Sequence, residues 1–447
     1  MVAAGGSAHW SSRFTFVMAS VGFAVGLGNI WRFPYVTGEN GGSAFVLIYL
    51  FCAFCIGVPC LVSELLIGRR GQHSPPESMA RVAEESGHSR HWRFVGGMGV
   101  FTAFAISVTY AVVVGWVLSY LARAVMTGFA GVDAASSSQA FDSLLADSGS
   151  MLFWTLVGNI LVGVIIFSGV KGGIERAVNI MMPLMFALLI GLSIYNIFAG
   201  GFMATLEWLF KPDFSKVGPD TLLAAIGQAF FSIGVAMGGM MTYGSYLPND
   251  FSITRAATTV VLADTLVALL AGFVVFPAVF HFGLDIASGA GLIFQTLPVA
   301  FAQMPGGHVF AVLFFVMLSV AGITSMVGLL ESATAWCSER FNLHRHMSSV
   351  VVVVSVTLCS VASVLSYGAW SDYRLAGKNF NEIAAIPEQI LLPLGGLLIA
   401  AFAGWFMLRS HSEDELRTND ATYTLWRVLV RYLAVPAIAV ILVSGLF

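Results

Sequence analysis

Apolar runs of about 20 residues, the length a helix needs to cross a bilayer, recur from Phe14 to Phe447. They number eleven once interruptions at glycine and proline are allowed. Side chains are 57% hydrophobic and only 10% charged, and the mean hydropathy is +0.85. Water cannot cover such a surface, so the solvent is lipid and an all-α transmembrane fold is expected. No soluble domain remains, and residues 1–447 read as a single domain.

The net charge of −3 offers no basic face for nucleic acid. Five cysteines, Cys52, Cys55, Cys60, Cys337 and Cys359, lie in or beside apolar stretches and read as small buried hydrophobes, not as disulfides or metal ligands. The run beginning at Phe14 is too long for a cleaved signal and continues past Arg32, so it stays as the first span.

Placing the N-terminus in the cytoplasm puts Arg69, Arg70, Arg81, Arg90 and Arg93 inside, together with Lys171, Arg176, Arg255, Arg340, Arg345, Arg409 and Arg417. The loops near 126–150 and 281–309 contain no Lys or Arg and fall outside. Two outer groups are exceptions, Lys211 with Lys216 and Arg374 with Lys378, each accompanied by acids. Eleven spans then leave the C-terminus on the periplasmic or extracellular side of a bacterial inner membrane.

Two spans are interrupted by glycine in a similar way, over residues 21–28 and 232–239. Single glycines of this kind serve close helix packing. A pair five spans apart points to inverted repeats with a site at the midplane. The repeats are expected at about 12–199 and 220–409, with an additional helix at about 424–446.

The stretch Gly26-Leu-Gly-Asn-Ile-Trp-Arg-Phe-Pro34, followed by Glu39-Asn-Gly-Gly42, resembles the signature of the neurotransmitter:sodium symporter family. The likeness continues through Gly227-Gln-Ala-Phe-Phe-Ser232, Ala321-Gly-Ile-Thr-Ser325 and Leu391-Leu-Pro-Leu-Gly-Gly396. It implies the leucine-transporter fold, a 5+5 inverted repeat with broken helices one and six, and sodium-coupled symport of a small amino acid by alternating access. A monomer or weak dimer in the bilayer is expected.

By this resemblance one sodium meets Ala24, Asn29, Ser232 and Asp264, and a second meets Gly22, Val25, Ala321, Thr324 and Ser325. Taken alone, Thr324 and Ser325 would read as hydroxyls bonded one turn back in their own helix. The substrate carboxylate is expected at the amides of Leu27 and Gly28 and the hydroxyl of Tyr110, with Ala24, Ser232 and Ser325 beside it. Tyr110 by itself reads equally well as an interfacial tyrosine.

The implied side-chain pocket is Ile106, Phe231, Ile233, Gly234, Met237, Met326 and Leu329, which offers no charge and suits a neutral, apolar amino acid. A taurine-like or γ-amino acid osmolyte is the alternative. Monoamine carriers of the family have an aspartate where this chain has Gly26, so here the substrate brings its own carboxylate. Animal relatives bind chloride near the positions of Tyr49, Gln228 and Ser232 with a span-seven hydroxyl, which is Ala268 here. Asp264, one turn earlier, is expected to supply that negative charge and make chloride unnecessary; the other reading is a buried, protonated acid. Glu64 either caps freed amides of the broken spans or relays protons.

Arg32 is expected to form an outer gate. Its usual acidic partner falls on Ala384, which shifts the pairing to Glu382 or Glu388. Trp10, Tyr246, Glu331 and Glu339 match inner-gate positions, whereas the arginine usual three residues before the tryptophan is Ser7. A channel would need a continuous polar lining, and an enzyme would need a nucleophile with a base or a metal cluster. The histidines lie in loops or near span ends, so neither class fits.

Overall fold

The computed structural model describes residues 9–284, 289, 291–375 and 377–444. Among them, nine helices are long and apolar enough to cross a bilayer uninterrupted. They are spans two (Ser43–Gly71), three (Arg90–Met126), four (Ser148–Phe167), five (Val170–Ala199), seven (Ile253–His281), eight (Gly307–Phe341), nine (Arg345–Leu365), ten (Phe380–Phe406) and eleven (Asp420–Ser444). Span one is a bent pair, Arg13–Ala24 and Gly28–Glu39, turning by 52° at its break. Span six is likewise split, into Pro219–Ile233 and Gly239–Ser245, each too short to cross alone. Counting it gives the eleven spans read from the sequence.

Both breaks have local causes. In span one, Val25 leaves the helical region for an extended conformation, and helix resumes at Gly28. In span six, Gly234 and Gly238 take positive φ, and so does Ala236 at +68°. A left-handed alanine costs about 1–2 kcal/mol. Its amide is held by the carboxylate of Glu64 from span two, which satisfies the group that the break frees.

Burial orders the bundle. In its most apolar window span eight is 78% buried, whereas span eleven is 17% and spans four and five are each 33%. Span eight runs against spans three and one at the centre, while four, five and eleven turn apolar faces such as Phe153, Ile190 and Val440 to lipid. Spans one and six lie inside this ring. Close approach to span six is permitted by glycine: a methyl at Gly68 would overlap the Met241 carbonyl, and one at Gly244 would crowd the Leu65 backbone.

Gly68→Val is therefore expected to lower stability by about 1–3 kcal/mol or more through overpacking, whereas Gly191→Ala, where a methyl meets open space, should be neutral. Thermal denaturation of the purified variants in detergent checks this; equal melting temperatures would contradict the packing described.

Candidate functional site

Unwinding span one exposes backbone groups, and neighbouring side chains take them up. The Gly26 amide donates to Asn29 Oδ1 at 3.1 Å, and the Leu27 amide donates to the Tyr110 hydroxyl at 3.2 Å. The Gly28 carbonyl accepts from Gln228 Nε2 at 3.3 Å. The carbonyls of Gly22 and Val25 both accept from Ser325 Oγ, at 3.3 and 3.1 Å. Spans three, six and eight thus close on one unwound turn.

Asn29 also anchors a polar knot in the apolar core. Its Nδ2 donates to Asp264 Oδ1 at 2.7 Å, to the Asp264 carbonyl at 3.1 Å and to Ser232 Oγ at 2.9 Å. Ser232 Oγ donates to Asp264 Oδ2 at 2.7 Å. Asp264 is fully buried, and among the described residues no Lys, Arg or His pairs with it. Beside it, the buried hydroxyls of Tyr49 and Thr265 add two further oxygens. Burying a carboxylate costs several kcal/mol. A monovalent cation about 2.5 Å away returns about 6–7 kcal/mol at an effective dielectric of about 20. The donors here are hard oxygens, the kind an alkali cation takes.

The residues expected to hold a second cation are adjacent as well. The Thr324 hydroxyl bonds back to the carbonyls of Val320 and Ala321, at 2.9 and 3.2 Å, as hydroxyls within helices do. Ser325 instead reaches across to span one. A side chain at Gly22 would come within 3.3 Å of Thr324, so the two helices touch at this level.

Between the breaks lies a small cavity of about 40 Å³, lined by Ala24, Gly28, Ile106, Tyr110, Phe231, Ser232, Gly234, Met237, Ser325 and Leu329 as expected, and also by Phe23 and Gly26. Two expected side-chain wall residues, Ile233 and Met326, are absent from it, and Leu27, expected through its amide, does not line it either. Leu27 contributes only its amide, since its side chain packs toward Gly322. Ile233 points away, into the space that the missing side chain of Gly57 leaves on span two. Met326 is fully buried outside the cavity wall. Phe23 was not anticipated. Its ring lies against Gly234, Gly239 and Gly328, and that trio of glycines on two helices was the available signal. A Cβ at Gly26 would lie 2.5 Å from Ser325 Oγ and 2.9 Å from the Tyr110 hydroxyl, so this wall has no room for a side chain.

Closures lie on both sides of the cavity. On one, Phe231 borders it and the Arg32 guanidinium sits 4.5 Å from the centre of the Phe231 ring. Arg32 pairs with Glu388 at 3.5 Å. Glu382 is corrected out of this gate: it accepts from the Asn379 amide at the start of a short helix and pairs with Arg374 at 3.3 Å. On the other side, Trp10 donates to the Tyr243 carbonyl at 3.0 Å and packs on the Tyr243 and Tyr246 rings. The Tyr246 hydroxyl donates to Glu331, which Arg345 grips through two bonds of 2.8 and 2.6 Å. Glu339 accepts from the Ser74 amide and meets His73 at 2.8 Å. Ser7 lies outside the described residues. Sequence reasoning used Arg345 only as an orienting charge, and it missed Glu175, which holds the amide and hydroxyl of Ser11 at 2.8 and 2.7 Å.

Two helices broken at one depth, around an apolar cavity edged by hard oxygens and closed on both sides, define a membrane transporter of the broken-helix class. Known proteins agree. The chain matches the sodium:neurotransmitter symporter family over residues 7–138 and 138–373. It is 35% identical to the sodium-dependent transporter YhdH of Bacillus subtilis over 98% of this chain and 97% of that protein. It is 33% identical to a sodium-dependent transporter of Haemophilus influenzae, over 98% of each. The crystal structure of MhsT in complex with L-phenylalanine superposes with a TM-score of 0.90 at 38% identity, covering 98% of this chain and 100% of that one. The chain belongs to the sodium:neurotransmitter symporter family; it is a multi-pass, sodium-dependent membrane transporter and not an enzyme.

The Arg32 to Glu388 pair is half-exposed, and such pairs contribute up to about 1 kcal/mol. Glu388→Gln should accordingly speed release of bound labelled substrate up to about fivefold in a washout assay, while Glu382→Gln leaves it unchanged. The reverse pattern would assign the gate to Glu382.

Proposed function

We propose that this chain couples sodium entry to uptake of one neutral, apolar amino acid by alternating access, with two sodium sites and no need for chloride. The observation that carries this reading is the Asp264 carboxylate, buried beside the unwound turn with neutral side chains such as Asn29 and Ser232 and, among the described residues, no cationic one to satisfy it. Sodium at Ala24, Asn29, Ser232 and Asp264 would neutralise it. Sodium at Gly22, Val25, Ala321, Thr324 and Ser325 would replace the hydroxyl contacts that now join spans one and eight.

The substrate carboxylate would take the Leu27 amide and the Tyr110 hydroxyl, which now bond each other. Its side chain would lie among Phe23, Ile106, Phe231, Met237 and Leu329, none of which carries a charge. MhsT was crystallised with L-phenylalanine, and flexible Met237 lets the same wall admit leucine-sized to aromatic side chains. The chloride reading rests on Ala268, which has no hydroxyl to offer, and on Asp264 one turn away, whose carboxylate would supply the negative charge beside Ser232.

The repeats would be residues 12–199 and 220–409, with an additional helix at 424–446. Trp10, Tyr246, Glu331 and Glu339 would face the cytoplasm, and Arg32 and Glu388 the periplasm, in a bacterial inner membrane. The outer exception Arg374 is neutralised by Glu382, which suits that orientation. Glu64 would serve as a cap for the Ala236 amide.

Equilibrium binding of labelled phenylalanine and leucine tests this. Wild-type protein should bind in sodium but not in potassium, with the same affinity in chloride and gluconate. Asp264→Asn should raise the half-saturating sodium concentration about tenfold or more. Wild-type binding that needs chloride, or an Asp264→Asn variant with unchanged sodium dependence, would overturn the reading.

A further inference from the structure

Away from the transport site, a second cavity of about 710 Å³ opens between spans three, eight and nine at the end of the bundle that holds Glu331 and Arg345. Its walls are almost wholly apolar, among them Phe101, Phe104, Trp336 and Val351. Phe101 is 56% exposed and Phe341 59%, so the groove faces the bilayer.

Two arginines stand at its mouth, Arg93 at the first turn of span three and Arg340 at the last turn of span eight. Most arginines at this end are neutralised: Arg345 by Glu331, Arg90 by Glu77 and Glu84, and Arg70 and Arg81 by Glu85. Arg93 and Arg340 are exposed, and among the described residues neither makes a hydrogen bond or an ion pair. Among the described residues no acid lines the groove. A charge pair without a partner, above an apolar cleft of this size at headgroup level, is complementary to a ligand with an anionic head and hydrocarbon tails.

We propose that this groove binds one anionic phospholipid, its phosphate between Arg93 and Arg340 and its acyl chains against Phe101, Phe104, Trp336 and Val351. The lipid would bridge span eight, which carries Ser325 and Glu331, to spans three and nine. The proposal holds whichever side of the membrane this end faces, and independently of the transported substrate.

Trp336 supplies the readout. The full chain is reconstituted in phosphatidylcholine vesicles containing a minor fraction of acyl-brominated phosphatidylglycerol or, in parallel, acyl-brominated phosphatidylcholine. Quenching of Trp336 is taken as the difference between wild type and Trp336→Phe. The brominated anionic lipid should quench at about tenfold lower mole fraction than the neutral one. Arg93→Gln with Arg340→Gln should abolish that preference. Gly97→Phe, which places a ring where a methyl meets open space in the groove, should weaken quenching by both lipids, with an unchanged size-exclusion profile reporting an intact fold. Equal quenching by the two lipids, or a preference that survives the double arginine variant, would overturn the proposal. Phosphatidylglycerol retained by the wild type and not by the double variant in native mass spectrometry is the second expected result.

Discussion

The interruption of span one at Val25 is the constraint on which the site depends. Inside a bilayer a freed amide or carbonyl has no water to bond, and each one left unpaired costs several kcal/mol. Asn29, Tyr110, Gln228 and Ser325 are spent on this turn, and they come from four different helices. Spans three, six and eight therefore cannot be placed independently of the break. Groups that satisfy one another in the closed protein are also those a cation and a carboxylate would take over, so the turn can exchange internal bonds for ligand bonds without leaving any group orphaned.

Around that turn the two closures differ in strength. The outer one is a single half-exposed ion pair at 3.5 Å with an arginine over an aromatic ring, an arrangement worth about 1–2 kcal/mol together. The inner one is layered: the Phe23 ring among three glycines, then the Trp10, Tyr243 and Tyr246 cluster, then Glu331 gripped at two points by Arg345. Glu331 is fully buried, and removing Arg345 would leave an uncompensated charge costing about 3–5 kcal/mol. The outer closure is the weaker of the two.

How far the sequence could be read follows from which features are local. Apolar runs and paired glycine interruptions are local, and they yielded the helical bundle and both breaks. The signature around Asn29 and the Ala321 to Ser325 stretch carried the residues that now cluster, because the resemblance aligned them one by one. Side-chain direction is not local. Ile233 lies beside pocket residues in the chain but turns toward span two, because Gly57 leaves space for it there, and Met326 is buried outside the cavity wall. Choosing between Glu382 and Glu388 depended on a capping bond at Asn379 that removes Glu382 from contention. Phe23 was overlooked because the glycines it meets lie on other helices, more than two hundred residues on, and Arg345 because a gap of 14 residues from Glu331 does not by itself show that spans eight and nine fold back to join them.

Sodium-driven accumulation tests the account most directly. The purified protein is reconstituted into potassium-loaded vesicles and diluted into sodium or potassium gluconate with labelled phenylalanine. Concentrative uptake with an inward sodium gradient, abolished when sodium ionophore collapses it and unaffected by leaving chloride out, is the predicted result. Accumulation that proceeds equally without sodium, or that appears only when chloride is added, would contradict the central role given to the Asp264 carboxylate.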